Sequence, residues 1–295
     1  MSYLFYGPKG IGKSFTARQF AKTLNCQAQG EDCCDACSSC LRMDKLQHPD
    51  LHWLDLEGGS DNIKIEQVRQ MQADMSLKPF EGKVKVFVIN NCEDLTLEAA
   101  NCLLKILEEP LFDSVIILIS SKVRLLLPTI ASRCQKIKFS GIKRQEAEEI
   151  LQKVYKIDGP TSRYLSYYSD GRIGEAIALN KDNVLAQRNI ILDKFMFDFN
   201  QRQAEELFKD SAQARRVLSI LVSWFRDLLY VKLSDKSKDL INQDRAQEIE
   251  KEAKRYSYLE LFTIFQCLTQ SFEYLDRNIN VRLLIDNLRV KIWKD

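Results

Sequence analysis

Several features that would place a chain in a special class are missing from this sequence. Glycine and proline are scarce, with 11 and 6 residues among 295, which excludes collagen-like, low-complexity and strongly disordered proteins. The longest apolar run, Val115 to Ile119, is far shorter than the roughly 20 residues of a membrane-spanning helix. No basic segment followed by an apolar one precedes Tyr3, so the sequence shows no secretory signal. We therefore expect an intracellular, cytoplasmic protein that has no membrane partner.

Neither positive charge nor histidine is in excess. The formal net charge is only +2, whereas a protein that binds nucleic acid alone usually carries a strong basic excess. Any contact with DNA is therefore expected to be local or shared with partner proteins. The two histidines, His48 and His52, have no cluster of other ligand types beside them, and we expect structural roles for both. In a reducing compartment the nine cysteines are not expected to form disulfides.

The first 140 residues alternate between apolar strand patterns and helical patterns. This alternation is typical of a parallel, doubly wound α/β sheet, and uninterrupted apolar strands favour burial on both faces. The predicted strands lie near 3–6, 51–56, 84–89 and 115–119, and the predicted helices near 13–24, 65–77 and 97–107.

After about Phe139 every convincing pattern is helical. Lys143 to Val154 forms the first such pattern, and two short ones end near Asn180. Longer helices follow, and one carries a wide apolar stripe at steps of three or four residues. We interpret this stripe as part of a helical core, and contact with another subunit is the alternative. The stripe consists of Val217, Leu221, Trp224, Leu228 and Val231.

The octapeptide GPKGIGKS, Gly7 to Ser14, matches the phosphate-binding pattern G-x-x-x-x-G-K-[ST] in full. It lies between a predicted strand and a predicted helix, as the mechanism requires. The glycines Gly7, Gly10 and Gly12 let backbone N–H groups face phosphate oxygens at the positive end of the helix. Lys13 neutralises charge, and Ser14 can bind magnesium. We predict a pocket for ATP and Mg²⁺ at these five residues.

The strand near 84–89 ends in Asn90 and Asn91, where a hydrolytic phosphate-loop protein needs acids to hold magnesium and polarise water. An asparagine amide is not basic enough to accept a proton from water near neutral pH. The loss of a general base commonly costs about 10²–10⁴-fold in rate. We therefore expect binding without efficient hydrolysis, and Glu93 and Asp55 are the alternative acids that would restore it.

Five cysteines, Cys26, Cys33, Cys34, Cys37 and Cys40, follow the predicted helix of the phosphate loop. Four thiolates complete the tetrahedral shell of a structural zinc ion, and such a site leaves no position open for substrate. We predict that Cys26, Cys34, Cys37 and Cys40 bind zinc. Cys33 is the spare residue, and it is also the alternative to Cys34.

These motifs, together with three further segments, resemble bacterial clamp-loader subunits. Those subunits are AAA+ proteins of the replicative DNA polymerase III holoenzyme, and they place a ring-shaped sliding clamp on primer-template DNA. The resemblance covers most of the first 180 residues. The further segments are HPDL at 48–51, AANCLLKILEEP at 99–110 and LLPTIASRCQKIKF at 126–139.

The resemblance implies an architecture and a set of partners. An AAA+ phosphate-loop core with a zinc-binding insertion would occupy residues 1–140, a small helical lid 141–181, and a helical collar that joins subunits 182–295. The partners would be gamma or tau and delta subunits in a hetero-pentamer, the sliding clamp, and primer-template DNA reached through the complex. Family members usually carry one more helix ahead of the first strand, so we expect the N-terminal segment to be short or missing.

Two departures indicate a delta-prime type rather than the catalytic gamma or tau type. Asn90 and Asn91 replace the acidic pair, and Gly174 stands where the lid of a catalytic gamma or tau chain has a sensor arginine. In this family the Ser-Arg-Cys motif, here around Arg133, supplies an arginine finger in trans to ATP on a neighbouring subunit. Such a finger is worth about 10³–10⁵ in rate in the best-studied GTPase case. A structural salt bridge is the alternative role of Arg133.

We therefore expect a delta-prime-type clamp-loader subunit with little intrinsic ATPase activity and with Arg133 as its catalytic contribution. The first alternative is an active gamma- or tau-like ATPase that uses substitute acids. The second is an unrelated phosphate-loop kinase or switch, which would leave the cysteine cluster and the Ser-Arg-Cys motif unexplained.

Overall fold

The computed structural model describes residues 1–28, 30–56, 60–108, 114–197, 207–234, 239–277 and 281–292. The chain divides into two compact units. The first contains Met1–Ile142 together with Arg172–Glu175, and the second contains Lys143–Gly171 and Ala176–Asp295. The finer division into core, lid and collar stays a prediction.

Among the described residues, the first unit contains one parallel sheet of five strands with the order β2-β3-β4-β1-β5. The central strand β1 leads into the phosphate loop, and Tyr6 at its end pairs with Ser120 of β4 and Lys138 of β5. Loops that follow parallel strands meet at one edge of the sheet, where α/β proteins bind ligands. The strands are β1 Ser2–Tyr6, β2 Leu51–Leu54, β3 Lys85–Ile89, β4 Ser114–Ser120 and β5 Gln135–Lys138.

Strands β3 and β4 are buried along their whole length, because helices cover both faces of the sheet. Successive side chains of a strand point to opposite faces, so Phe87 joins one apolar cluster and Val88 the other. The prediction of a doubly wound α/β core is thereby confirmed. The helices are α1 Lys13–Asn25, α2 Ser38–Asp44, α3 Ile65–Met75, α4 Leu97–Glu108 and α5 Pro128–Ser132.

The structure differs from the sequence prediction mainly at the sheet edge. Strand β5 was not predicted, because its sequence Gln-Lys-Ile-Lys has no apolar run and all four residues are exposed. Backbone pairing with β1 makes it a strand, so its partner rather than its own side chains determines its conformation. Strand β2 also ends at Leu54 instead of Leu56, and α3 ends at Met75 instead of Leu77.

All regular secondary structure in the described part of the second unit is helical. Its long helix α10 buries Val217, Leu221, Trp224 and Leu228 in the core of the unit, so the helical-core interpretation of this stripe is confirmed. No helix within the described ranges has the length and hydropathy needed to cross a bilayer. The helices are α6 Arg144–Lys153, α7 Gly159–Tyr168, α8 Ile173–Lys181, α9 Val184–Leu192, a π-helical turn Asp193–Phe197, α10 Ser211–Ser234, α11 Ala246–Ala253, α12 Tyr258–Asp276 and α13 Val281–Ile292, and the first residues of α8 belong to the first unit.

Candidate functional site

The phosphate loop joins the end of β1 to the start of α1 in a backbone conformation that needs glycine. Gly7, Gly10 and Gly12 have φ angles of 151°, 76° and 104°, which L side chains rarely adopt. A Cβ atom on Gly7 would also lie 2.3 Å from the carbonyl oxygen of Phe139. Helix α1 begins at Lys13 and has no acidic residue in its first turn. Its positive end is therefore free to attract an anion.

Lys13 lies inside this loop with 5% of its surface exposed. Its Nζ donates hydrogen bonds to the carbonyl oxygens of Gly7 and Pro8 at 2.6 and 2.7 Å, and to Ser121 Oγ at 3.2 Å. Burial lowers the pKa of Lys13, and the negative charge of Glu93 partly opposes this effect. The cation is thus held beside the loop atoms that a phosphate group would approach.

Asn90 and Asn91 form a hydrogen-bonded chain with Ser14 and Asp55. Ser14 Oγ donates to Asn90 Oδ1 at 3.1 Å. The amide groups of Asn90 and Asn91 then donate to Asp55 Oδ2 and Oδ1 at 2.8 and 3.1 Å. A carboxylate only accepts hydrogen bonds, so Asp55 fixes the orientation of both amides. The asparagines thus separate the Asp55 carboxylate from Ser14, and the group that contacts the loop is the neutral amide of Asn90.

The cleft beside the loop has a volume of about 310 Å³, and neither alternative acid lines it. Asp55 is held by the two asparagines. Glu93 Oε1 accepts the backbone N–H of Ser121 at 2.9 Å, while its buried Oε2 has no hydrogen-bond partner among the described residues. Of the two acids, Glu93 therefore has the carboxylate with fewer hydrogen bonds among the described residues.

Gly174 lines the same cleft and lies in the first unit. A Cβ atom at this position would be 2.8 Å from the carbonyl oxygen of Gly10, which also accepts the Glu175 N–H at 3.3 Å. Any side chain here, including an arginine, therefore requires the phosphate loop to shift. The glycine is consistent with the expected loss of a sensor arginine.

Arg133 caps the C-terminal end of α5 and does not line the phosphate cleft of its own chain. Its side chain is 36% exposed. Nη1 donates to the Thr129 carbonyl oxygen at 3.0 Å, and Nη2 donates to Glu108 Oε1 at 2.5 Å. Glu109 and Pro110, which end the predicted AANCLLKILEEP motif, lie outside the described residues. The arginine thus has both an exposed position and an ion-pair partner in its own chain.

The structure brings the four predicted zinc ligands together. The Sγ atoms of Cys26, Cys34, Cys37 and Cys40 all lie within 4.8 Å of one another. Cys26 caps the end of α1 and Cys37 caps the start of α2, so two helix ends hold the cluster. Cys33 Sγ instead contacts the side-chain oxygens of Gln19 and Asp35, both at 3.4 Å.

Backbone hydrogen bonds lower the pKa of two of the clustered cysteines, Cys26 and Cys37, and so favour their thiolates. The N–H groups of Cys34, Cys37 and Cys40 lie 3.3–3.4 Å from the Sγ atoms of Cys26, Cys34 and Cys37 respectively. Hydrogen bonds from the backbone of Cys40 and Gln27 lower the pKa of Cys37 to about 6. Burial raises the pKa of Cys40 to about 12. Because zinc ligates thiolates and four sulfurs close its tetrahedral shell, this donor set fits a structural zinc ion.

A buried lysine that the sequence analysis missed ties α1 to the cysteine segment. Lys22 is 2% exposed, and its Nζ contacts the carboxylates of Asp35 and Asp44, the latter at 2.9 Å. Burial alone would lower the pKa of Lys22, but the hydrogen bonds to the two acids raise it. The sequence signal for this role was the position of Lys22. It is a charged residue directly after the buried Ala21, on the core-facing side of an amphipathic helix.

Asp50 of the HPDL segment is a second residue whose role the sequence did not reveal. It is fully buried, and its carboxylate accepts the N–H groups of Phe80, Glu81 and Gly82 at 2.6–3.0 Å. The buried His48 accepts the Asp50 N–H on Nδ1 at 3.1 Å. These contacts are structural, because they hold the segment between α3 and β3.

Comparison with known proteins identifies related families and chains. Residues 1–143 match the family model described as "DNA polymerase III, delta subunit", and residues 182–291 match "DNA polymerase III, delta subunit, C terminal". DNA polymerase III subunit delta' of Bacillus subtilis (strain 168) is 30% identical over 97% of this chain and 89% of its own length. The tau subunit of the same organism is 23% identical over 99% of this chain and 56% of its own length.

A solved structure of a gamma-subunit-related protein from Thermotoga maritima covers 99% of this chain and 94% of its own, with 18% identity and a TM-score of 0.40.

Proposed function

The chain belongs to the DNA polymerase III delta' family, and we propose that it is the delta' subunit of a clamp loader. In this role it assembles with gamma or tau and delta subunits into a hetero-pentamer that places a sliding clamp on primed DNA. The observation that carries the proposal is the similarity to a delta' subunit over 97% of the chain. Residues 182–291 match a family model for the C-terminal region of the delta subunit, which supports a clamp-loader role for the helical part of the chain as well.

The cleft of this subunit binds nucleotide with little or no hydrolysis. Three local observations support this part of the proposal. Asn90 and Asn91 offer neutral amides where a general base is needed, and both amides are held by Asp55. The space that a sensor side chain would need at Gly174 is filled by the loop carbonyl of Gly10. A second candidate function, an active ATPase, is favoured only by Glu93, because one of its carboxylate oxygens is unpaired among the described residues.

Arg133 serves as an arginine finger for ATP bound to the neighbouring subunit. Its exposure and its absence from the lining of the cleft of its own chain support this role. To act on ATP of the neighbouring subunit, the Arg133 guanidinium would break its ion pair with Glu108 and bind a phosphate group instead. An exposed ion pair is worth only about 0–1 kcal/mol, whereas an arginine finger contributes about 10³–10⁵ in rate. The contact with Glu108 is therefore a small barrier to the exchange.

The cysteine cluster binds one structural zinc ion through Cys26, Cys34, Cys37 and Cys40. The closeness of the four sulfurs and the backbone N–H groups that face them support this proposal. When bound, the ion would cross-link the end of α1 to the start of α2, and it would take no part in chemistry.

ATP turnover by the reconstituted loader with clamp and primed DNA tests the main proposal. We expect Arg133→Ala in this subunit to lower turnover strongly, and Lys13→Ala to leave turnover largely intact. Arg133→Lys keeps the charge but lacks the planar fork of donors, so it should rescue turnover only partly. Glu108→Gln removes the ion pair and leaves the arginine, so it serves as the matched control.

The opposite pattern, a loss with Lys13→Ala and none with Arg133→Ala, would contradict the proposal. The same is true if the purified chain hydrolyses ATP at a rate that Lys13→Ala abolishes. In that case Glu93→Gln identifies the substitute acid, since it would stop turnover while leaving the Asp55 network in place.

A further inference from the structure

The cleft beside the phosphate loop combines positive charge with neutral amides. We propose that it binds the polyphosphate group of a nucleotide without needing a divalent cation, and that the neutral amide of Asn90 makes this binding independent of the metal. This inference rests on the proposed nucleotide-binding role of the cleft and concerns the form of ligand that it takes.

The charge of the cleft favours the metal-free ligand. Lys9 and Lys13 line it, and none of its described lining residues carries a carboxylate. The positive end of α1 adds further attraction for anions. A bound Mg²⁺ cancels part of the negative charge of a polyphosphate and so weakens its attraction to these groups. The metal therefore helps binding most where the protein itself offers it negatively charged ligands.

Asn90 does not offer such a ligand. Its amide oxygen accepts the Ser14 hydroxyl at 3.1 Å, and its amide nitrogen donates to Asp55. Magnesium sites in phosphate-binding proteins usually combine one or two carboxylates with phosphate oxygens and water. Here the oxygen that accepts the Ser14 hydroxyl is neutral, and the described lining offers Ser14 no carboxylate with which to share a metal ion.

Asp55 cannot replace the missing charge without giving up its own contacts. Its carboxylate accepts three hydrogen bonds, from the amides of Asn90 and Asn91 and from the backbone N–H of Leu56 at 2.9 Å. It does not line the cleft. Glu93 is also outside the lining, and one of its oxygens accepts the backbone N–H of Ser121. Neither carboxylate is thus placed to hold a metal ion on the loop.

Calorimetric titration of the full chain with ATP, and separately with tripolyphosphate, tests the inference. Each titration is done with excess Mg²⁺ and with excess EDTA. We expect the wild-type dissociation constants in the two buffers to agree within about threefold, which corresponds to less than 1 kcal/mol. Asn90→Asp places a carboxylate beside Ser14. This variant should therefore bind ATP and tripolyphosphate at least about tenfold more tightly with Mg²⁺ than with EDTA.

Two further variants separate the effect of charge on binding from the effect of the hydrogen bond between Asn90 and Ser14. Asn90→Ala removes the contact with Ser14 without adding charge, and its binding should stay insensitive to Mg²⁺. Lys13→Ala removes the cation that the loop holds, so it should lose binding in both buffers. If Asn90→Asp does not fold, the wild-type comparison still decides whether the cleft needs the metal, and tighter binding of Asn90→Ala with Mg²⁺ would contradict the role of Asn90.

Two results would overturn the inference. One is wild-type binding that is at least tenfold tighter with Mg²⁺, which means that the cleft holds the metal in the usual way. The other is no binding of either probe in either buffer, which means that the cleft is not a phosphate site. Neither result affects the role of Arg133, because that role is measured by turnover of the reconstituted loader.

Discussion

At the scale of single residues, Asp50 organises a whole segment through its carboxylate. Burial alone would raise its pKa, but three backbone N–H donors outweigh this effect and lower it. A carboxyl group whose folded-state pKa lies below its unfolded value stabilises the fold above the unfolded pKa. That contribution is lost as the pH falls through the folded pKa. Acid should therefore loosen the segment between α3 and β3.

We predict that Asp50→Ala lowers the local stability around β2 and β3 by about 3 kcal/mol, because three partly buried backbone hydrogen bonds to a charged acceptor are lost. Hydrogen exchange of peptides from these two strands measures the effect within the first unit. Exchange in the variant should also respond less to acid than exchange in the wild type. The exposed Asp61→Ala is the control, and equal exchange in both variants would contradict the prediction.

Gly7 and Gly12 allow steric conflict to be separated from backbone strain. A Cβ atom on Gly7 would lie 2.3 Å from the Phe139 carbonyl oxygen, whereas one on Gly12 would meet nothing within 4 Å. Gly12→Ala should cost about 1–2 kcal/mol from its positive φ alone. Gly7→Ala should cost clearly more, since the backbone after β5 must move. Thermal unfolding of the two variants tests this order, and equal losses would refute it.

At the scale of single elements, α1 links the phosphate loop to the cysteine cluster. It begins at Lys13, and Cys26 caps its end, so the two sites lie about 20 Å apart along one rigid element. The buried Lys22 joins the same helix to Asp35 and Asp44 near the cluster. Metal binding at one end should therefore order the C-terminal turns of α1.

We predict one zinc ion per chain in the wild type and in Cys33→Ser, and loss of zinc in Cys34→Ser. The reason is that Cys34 Sγ lies in the cluster, while Cys33 Sγ contacts Gln19 and Asp35. Elemental analysis of the purified proteins measures the metal content. The reverse result, with zinc retained in Cys34→Ser and lost in Cys33→Ser, would show that the ligand assignment is wrong.

At the scale of the whole molecule, each of the two units has its own apolar core. The helical unit also exposes neighbouring apolar side chains at the start of α12. Leu259 is 71% exposed, and the exposed rings of Tyr258 and Phe262 stack on each other with centroids 6.1 Å apart. Exposed apolar groups that cluster often mark a protein interface. This helix end is therefore a candidate contact with another loader subunit.

We predict that Leu259→Glu weakens assembly with gamma or tau and delta subunits by about tenfold or more, because a contact at this position would bury a carboxylate without a partner. The isolated chain should keep its stability, because this side chain is largely exposed. Val154→Glu, at another exposed apolar position of the same unit, is the control. The association constant of the subunits checks the prediction, and an unchanged value in Leu259→Glu would contradict it.

Much of the fold could be predicted because its signals are local. The phosphate loop, the apolar strands β3 and β4, and the stripe of α10 each follow from a pattern within a few successive residues. Such patterns depend on backbone periodicity and on glycine at fixed positions, and they do not depend on distant partners. The spacing of the cysteines was informative for the same reason, although it left Cys33 as an alternative to Cys34. The structure brings Cys26, Cys34, Cys37 and Cys40 together.

Contacts between distant parts of the chain followed only from the tertiary structure. Strand β5 has no apolar pattern of its own, and its pairing with β1 makes it a strand. Asp55 reaches Asn90 and Asn91 across the sheet edge, Arg133 reaches Glu108, and Asp50 accepts donors about 30 residues away. Local patterns determined the elements and the loop chemistry, because both depend on neighbouring residues. Only folding decided which charges are paired or buried, because those partners are far apart in the sequence.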